Sequence, residues 1–278
     1  MEVIIAQDTT AVAATAADIV RDMLTARPNA TLGLATGSTP IRLYEQLVER
    51  HRAGQFSLAS VATFNLDEYL GLEPDSPLSY RRFMNQHLFE HTDIDLANTH
   101  FPACEPGKDP RLVGPEYEAA IRRRGGIDLQ VLGIGANGHI GFNEPGSSLG
   151  SRTRVKTLAQ RTVDDNSRLL QDGQTQPDMA LTMGIGTIMD ARRILLLATG
   201  EHKARALALA VEGAITAMHP ASVLQMHQHV RVIVDEAAAS ELTQTEYYRW
   251  VRKRNESITA AHGGSAGDDP WFHPSVDN

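Results

Sequence analysis

Residues 127–146 read IDLQVLGIGANGHIGFNEPG, and the point where this stretch passes from an apolar run into a glycine-rich loop decides the fold. Ile127–Ile134 has the length and the β-branched, largely apolar composition of a buried strand. A strand apolar on both sides belongs to a parallel sheet covered by helices. Gly133 to Gly138, GIGANG, matches the G-x-G-x-x-G pattern of dinucleotide-binding turns. That pattern carries its meaning only where it opens a helix. Here His139, Ile140, Gly141, Phe142, Asn143, Glu144, Pro145 and Gly146 follow, and the glycines and proline rule out a long helix. A nicotinamide or flavin site therefore fails its context. The stretch reads as a strand ending in a loop that brings backbone and polar side chains close to a ligand.

The same alternation runs outward in both directions. Val3–Ala6, Thr31–Ala35, Val61–Asn65, Met179–Met183, Ile194–Thr199 and Val230–Asp235 join Ile127–Ile134 as strands. Periodicity predicts helices over Thr9–Arg27, Pro40–Ala53, Leu78–His91, Pro115–Arg124, Thr162–Gln171, Glu201–Val211 and Ala237–Lys253. The expected class is α/β, a three-layer Rossmann-like fold with a mostly parallel central sheet. Ligands of such sheets bind at the carboxyl ends of the strands. No linker or repeat divides the chain, so residues 1–257 are expected to form one domain. Residues 258–278, rich in Gly and Pro, are expected to form a flexible tail.

Composition narrows the partners. Of 278 residues, 34 are acidic and 26 basic, a net charge of −8, and 42% are hydrophobic, which suffices for a full core. An acidic chain is a poor partner for nucleic acid or an anionic membrane. A small anionic ligand feels only its own pocket and stays allowed. Cys104 is the single cysteine, so no internal disulfide and no cysteine-based zinc site can form. With neither a secretory leader nor an apolar run of about 20 residues, a soluble cytoplasmic protein is expected. His219, His227 and His229 lack both metalloprotease spacing and a suitable carboxylate, so no metal is expected.

Three motifs carry chemistry. LATGSTP, Leu34–Pro40, reads as a strand end, a Gly-Ser-Thr turn and a helix opened by Pro40, with Ser38 or Thr39 as its cap. Such a turn gathers N–H groups where the helix dipole favours an anion, although an ordinary capped helix reads the same way. In TFNLDEY, Thr63–Tyr69, the carboxylates Asp67 and Glu68 follow a buried strand, where they supply a proton-transfer base or cap the next element. Asn137, His139 and Glu144 share the glycine loop, and a histidine oriented by a carboxylate suits acid–base work near neutrality.

Taken together, LATGSTP, TFNLDEY, GANGHIGFNEPGSS, SRTRVKT, NSRL, LTMGIGTIMDA, GEHKA and SVLQMH, in this order, resemble the glucosamine-6-phosphate deaminase family. The resemblance extends to about Lys253. It implies conversion of glucosamine 6-phosphate and water to fructose 6-phosphate and ammonia, with no cofactor. It also implies residue roles. Asp67 matches the base that shuttles a proton between neighbouring carbons, His139 the group that assists ring opening, and Glu144 the carboxylate that orients it. Asn137 stands where the best-known members carry aspartate, and adds no full negative charge beside the imidazole. Gly37, Ser38 and Thr39 match the phosphate site, joined by Arg168 and Lys203. Ser147, Arg154, Lys156 and Thr157 match the phosphate-binding part of an allosteric site that N-acetylglucosamine 6-phosphate occupies in some hexameric members. The tyrosine completing that site falls out of register, Arg249 standing there with Tyr247 and Tyr248 just before. Two rivals remain, a 6-phosphogluconolactonase and a non-catalytic sugar-phosphate-sensing regulator. The first needs no enolising base. The second needs a DNA-binding domain, and this chain opens on its first strand.

Overall fold

A computed structural model describes residues 1–72, 75–104, 107–158 and 177–261. Its strands are β1 (Glu2–Ala6), β2 (Thr31–Leu34), β3 (Ala62–Asn65), β4 (Asp67–Tyr69), β5 (Thr99–His100), β6 (Leu129–Gly133), β7 (Arg154–Thr157), β8 (Met179–Thr182), β9 (Ile194–Ala198) and β10 (Val230–Asp235). Its helices are α1 (Thr9–Ala26), α2 (Ser38–Arg52), α3 (Tyr80–His87), α4 (Pro110–Arg123), α5 (Ile185–Met189), α6 (Ala204–Val211) and α7 (Thr245–Ala261). Seven strands form one sheet in the order β1-β10-β9-β6-β2-β3-β5, and every pairing in it is parallel.

Period-two alternation splits the core between the two faces of this sheet. Leu195 and Leu197 of β9, with Leu32 and Leu34 of β2, pack under α1 and α2. Ile194, Leu196 and Ala198 face the other way, against Tyr117 and Ile121 of α4 and Ala206 and Leu207 of α6. The result is three layers. Helix α1 lies close to the sheet because its buried face is lined partly by Ala13, Ala16 and Ala17, and Asp8 caps it by accepting the Ala11 N–H at 2.8 Å. No described helix is long and apolar enough to cross a membrane.

Several expectations need correction. Met179–Met183 is not a strand of the main sheet. Strand β8 is the centre of a separate antiparallel sheet, β4-β8-β7, with a small core of Tyr69, Phe142, Leu158 and Ala180. An isolated apolar run does not reveal which sheet it joins. The seventh main-sheet strand is instead β5, two residues long and too short to leave a pattern.

Helix boundaries moved where caps, some of them distant in sequence, set the start. The expected helix Pro115–Arg124 begins five residues earlier, because the Asp109 carboxylate accepts the Arg111 N–H and Pro110 takes the first helical position. Leu78–His91 contracts to α3 plus a 3₁₀ turn, Phe89–His91, and Glu201–Lys203 is likewise a 3₁₀ turn before α6. The helix expected at Ala237–Lys253 is α7, shifted toward the carboxyl end. Glu212 accepts the N–H groups of Thr243 and Gln244 and so fixes where it starts. Helix α7 runs to Ala261, into the stretch expected as tail. Residues 262–278 and the expected helix Thr162–Gln171 lie outside the described residues.

Candidate active site

All seven main-sheet strands run parallel, so their carboxyl ends share one edge. At that edge, four neighbouring strands each deliver one expected part of the site. Lys203 follows β9, the glycine loop follows β6, the Gly37–Thr39 turn follows β2, and Asp67 follows β3. The chain moves outward in opposite directions from β2 and β6, the switch point at which open sheets hold ligands. Four strands span about 14 Å at the usual spacing.

TFNLDEY separates its two carboxylates. Leu66 leaves the main sheet with its N–H still on Leu34 O at 3.0 Å, and Asp67 then pairs opposite Thr182 in the small sheet. Glu68 Oε1 accepts the N–H groups of Tyr69 and Tyr80 at 2.9 and 3.0 Å, and Oε2 that of Arg81 at 3.0 Å. Glu68 therefore caps α3, together with Ser79. Asp67 is left for chemistry. It is 6% exposed, and no donor among the described residues bonds its carboxylate. Burial first, and the Glu68 charge second, push it up to about 8.

The glycine loop is a chain of turns, as its composition requires. Gly138 N–H reaches Gly135 O, Asn143 N–H reaches Ile140 O, and Ser147 N–H reaches Glu144 O. Two glycines set its chemistry. The His139 imidazole lies over Gly135, where any side chain would overlap the ring. Gly141 has φ +55°, and a Cβ there would stand 3.1 Å from Thr182 Oγ1 and 3.3 Å from Asp67 Oδ2. The loop therefore meets the Asp67 strand at Gly141, two residues from His139.

Within the loop, His139 Nδ1 faces Glu144 Oε1 at 3.6 Å, just beyond hydrogen-bond length. Such pairs tighten on substrate binding. With Nδ1 turned to the carboxylate, Nε2 is left for a ligand, and the His139 side chain is 25% exposed. Asn137 does not bond the ring. Its Nδ2 donates to Glu144 Oε2 at 2.7 Å, while its Oδ1 accepts the His139 N–H at 3.2 Å. Asparagine thus aligns the carboxylate with the backbone of the histidine, a contact in which aspartate would set one oxygen against another.

On the phosphate side the sequence expectation is corrected. Gly37, not Ser38 or Thr39, is the N-cap of α2, and no side chain bonds there. Ser38 and Thr39 instead form the first turn with Pro40. Lys203 closes the 3₁₀ turn after β9, and Arg168 lies outside the described residues. Of the expected allosteric set, Ser147 is buried, with an Oγ that finds no hydrogen-bond partner among the described residues. Arg154 donates to Asn143 Oδ1 at 2.9 Å. Lys156 lies on the same face of β7 as Arg154, and Thr157 on the other.

Two of the histidines weighed for metal bond backbone. His219 Nε2 is 2.8 Å from Ala206 O, and His227 Nε2 is 2.7 Å from Ala191 O. His219 nevertheless has a place here that the sequence did not suggest. Its ring packs on Gly138, while Ala221 N–H bonds Gly138 O and Gly146 N–H bonds Ala217 O, so this segment buttresses both ends of the loop. Asn143 and Thr182 were also missed. Asn143 sat inside a quoted motif, but nothing in its spacing showed what it binds.

A family model described as glucosamine-6-phosphate isomerases/6-phosphogluconolactonase matches residues 6–234. The chain belongs to this glucosamine-6-phosphate isomerase/6-phosphogluconolactonase family. Within the family, a Colwellia psychrerythraea protein named glucosamine-6-phosphate deaminase is 52% identical over 263 residues, covering 95% of this chain and 98% of its own. One of the same name from Hahella chejuensis is 53% identical over 262 residues, covering 94% and 100%. A solved structure described as a monomeric glucosamine-6-phosphate deaminase superposes with a TM-score of 0.84 at 42% identity, covering 87% of this chain and all of its own. The 6-phosphogluconolactonase from Trypanosoma cruzi superposes at 0.70 with 21% identity over 87% of this chain and 97% of its own, a likeness of fold alone.

Proposed function

We propose that this chain is a glucosamine-6-phosphate deaminase, converting glucosamine 6-phosphate and water to fructose 6-phosphate and ammonia. The observation that supports this most is the row of four strand ends. An anion-favouring helix start and a lysine flank the loop with His139, and a buried carboxylate stands on the far side. Phosphate binds the N–H groups of the Gly37–Thr39 turn with Lys203 and Arg168. His139, oriented by Glu144, moves a proton between the ring oxygen and the anomeric hydroxyl to open the ring. Asp67 takes the proton from the amine-bearing carbon and returns it to the neighbouring carbon. Water then adds to the resulting imine, and ammonia leaves.

Burial suits Asp67 to this task. A carboxyl pushed up to about 8 holds its proton in the free enzyme at neutral pH. The substrate arrives as an ammonium, and a cation beside the carboxyl favours its ionised form. The base is thus readied by the group about to be removed, and a carboxylate with a high proton affinity is a stronger base than an exposed one.

The reading carries further proposals. The protein acts in the cytoplasm as a hydrolase of a C–N bond in N-acetylglucosamine breakdown, residues 1–257 forming one catalytic domain. Whether Ser147, Arg154, Lys156 and Thr157 respond to an activator, and whether subunits associate, are separate questions that the assays below decide. Incubation with glucosamine 6-phosphate, followed by assay of ammonia and fructose 6-phosphate, tests the activity, and absence of turnover defeats it. A parallel arm with 6-phosphogluconolactone tests the lactonase reading. Added N-acetylglucosamine 6-phosphate tests activation, and light scattering reads the subunit count.

A further inference from the structure

The chemistry proposed for this site is carried on two separate bodies. The loop with His139 and Glu144 hangs from β6 of the main sheet. Asp67 opens β4 of the small sheet. Main-sheet bonding on the Asp67 side ends at Leu66, whose N–H meets Leu34 O, yet a shared substrate requires the gap from Asp67 to the loop to be constant.

Two side chains span it. Thr182, directly opposite Asp67 in the β4–β8 pairing and opposite Arg154 in β7–β8, accepts the Phe142 N–H on Oγ1 at 3.1 Å. Asn143 uses its whole amide. Nδ2 donates to Ile140 O at 2.9 Å, inside the loop, and to Met183 O at 2.8 Å, one residue past β8. Oδ1 accepts from Arg154 of β7 at 2.9 Å. Both residues are 0% exposed, so water does not compete for these bonds. The close approach at Gly141 leaves little slack between the bodies.

We infer that Asn143 and Thr182 are positioning residues that hold the loop bearing His139 and Glu144 in register with the strand bearing Asp67. The assignment rests on the deaminase reading for its kinetic consequences. Neither side chain bonds Asp67, His139 or Glu144. They act through Phe142, Arg154 and the backbone.

The test compares Asn143→Ala, Thr182→Val and Thr182→Ser with wild type. It measures kcat and KM for glucosamine 6-phosphate, and the isotope effect with substrate deuterated at the amine-bearing carbon. A misplacement of about 1 Å costs up to about 100-fold in rate. Asn143→Ala and Thr182→Val should therefore lower kcat by about 10- to 100-fold while KM stays within about twofold. The isotope effect on kcat should rise, because ring opening and proton abstraction no longer share one geometry. Thr182→Ser keeps the hydroxyl and should stay within about twofold of wild type. A smaller folded fraction scales kcat but leaves the isotope effect alone. Thr182→Val retaining full kcat, a loss with unchanged isotope effect, or Thr182→Ser as poor as Thr182→Val overturns the assignment. Hydrogen exchange separates this result from the deaminase reading. Amides of Ile140–Glu144 should exchange faster in Thr182→Val and not in Thr182→Ser, whatever the substrate, and equal rates in both overturn the clamp. If Asn143→Ala does not fold, the threonine pair decides.

Discussion

Asp67 should make the protein less stable than an inactive version of itself, and the difference should depend on pH. In the unfolded chain the carboxyl loses its proton near 3.8, whereas the folded protein keeps it up to about 8. Between these values the folded state binds the extra proton. Stability therefore falls as pH rises, by about 1.4 kcal/mol per unit, and levels off above about 8. Integrated from acid, the cost is about 2 kcal/mol at pH 5 and about 4 kcal/mol at pH 7, the upper end of what burial can impose. Asparagine has the same shape and no charge to bury, so Asp67→Asn removes this cost. Its own unpartnered amide adds a penalty that does not vary with pH. For a chain of this size 1 kcal/mol moves the melting temperature by about 2 °C. The gap between variant and wild type should therefore widen by about 5 °C from pH 5 to pH 7. Thermal unfolding followed by circular dichroism at pH 5, 6, 7 and 8 measures it, with deamination assayed on the same samples. Turnover should fall by about 100- to 10,000-fold. A gap that is flat with pH, or that narrows toward pH 8, refutes the argument that burial raises this carboxyl.

Three further outcomes follow from named contacts. Gly135→Ala puts a methyl group where the His139 ring lies, so kcat should fall by more than about tenfold while the far-ultraviolet spectrum is retained. Glu68→Ala takes the acceptor from the Tyr69, Tyr80 and Arg81 N–H groups, and urea unfolding should show a loss of about 2 kcal/mol or more. Lys203→Met removes a point charge from the phosphate side, so KM for glucosamine 6-phosphate should rise by about tenfold with a smaller change in kcat.

The sequence disclosed what repeats locally and hid what depends on a distant partner. Six of the seven main-sheet strands were visible as apolar runs, because burial on both faces leaves a composition that needs no neighbour to interpret. Strand β5 had no such mark, being two residues at an edge. Met179–Met183 had the mark but the wrong destination, since its antiparallel partners, Asp67–Tyr69 and Arg154–Thr157, come from far along the chain. The start of α7 went wrong for the same reason. Glu212 fixes the start of α7 from 31 residues upstream of Thr243. The site shows the same division. His139 and Glu144 share one loop and stood out together, whereas the separate duties of Asp67 and Glu68 became visible only once α3 had brought its N–H groups to Glu68.

The small sheet explains how one carboxylate can be both buried and usable. Had the chain continued straight from Asn65 in the main sheet, Asp67 would have entered the open edge where solvent reaches the strand ends, and its carboxyl would have kept an ordinary proton affinity. Instead the chain leaves β3 after Asn65 and pairs Asp67 with Thr182, beneath Gly141, in the small sheet, whose core packs the Tyr69, Tyr80 and Phe142 rings with centroids 5.0 to 6.1 Å apart. Burial here withdraws water from the carboxyl, and the Glu68 charge adds to the shift while its oxygens stay engaged with α3. The three-stranded insertion thus sets the strength of the base, and the clamp to the glycine loop sets its distance from the histidine. The main sheet needs to supply only the phosphate anchor and a rigid row of strand ends.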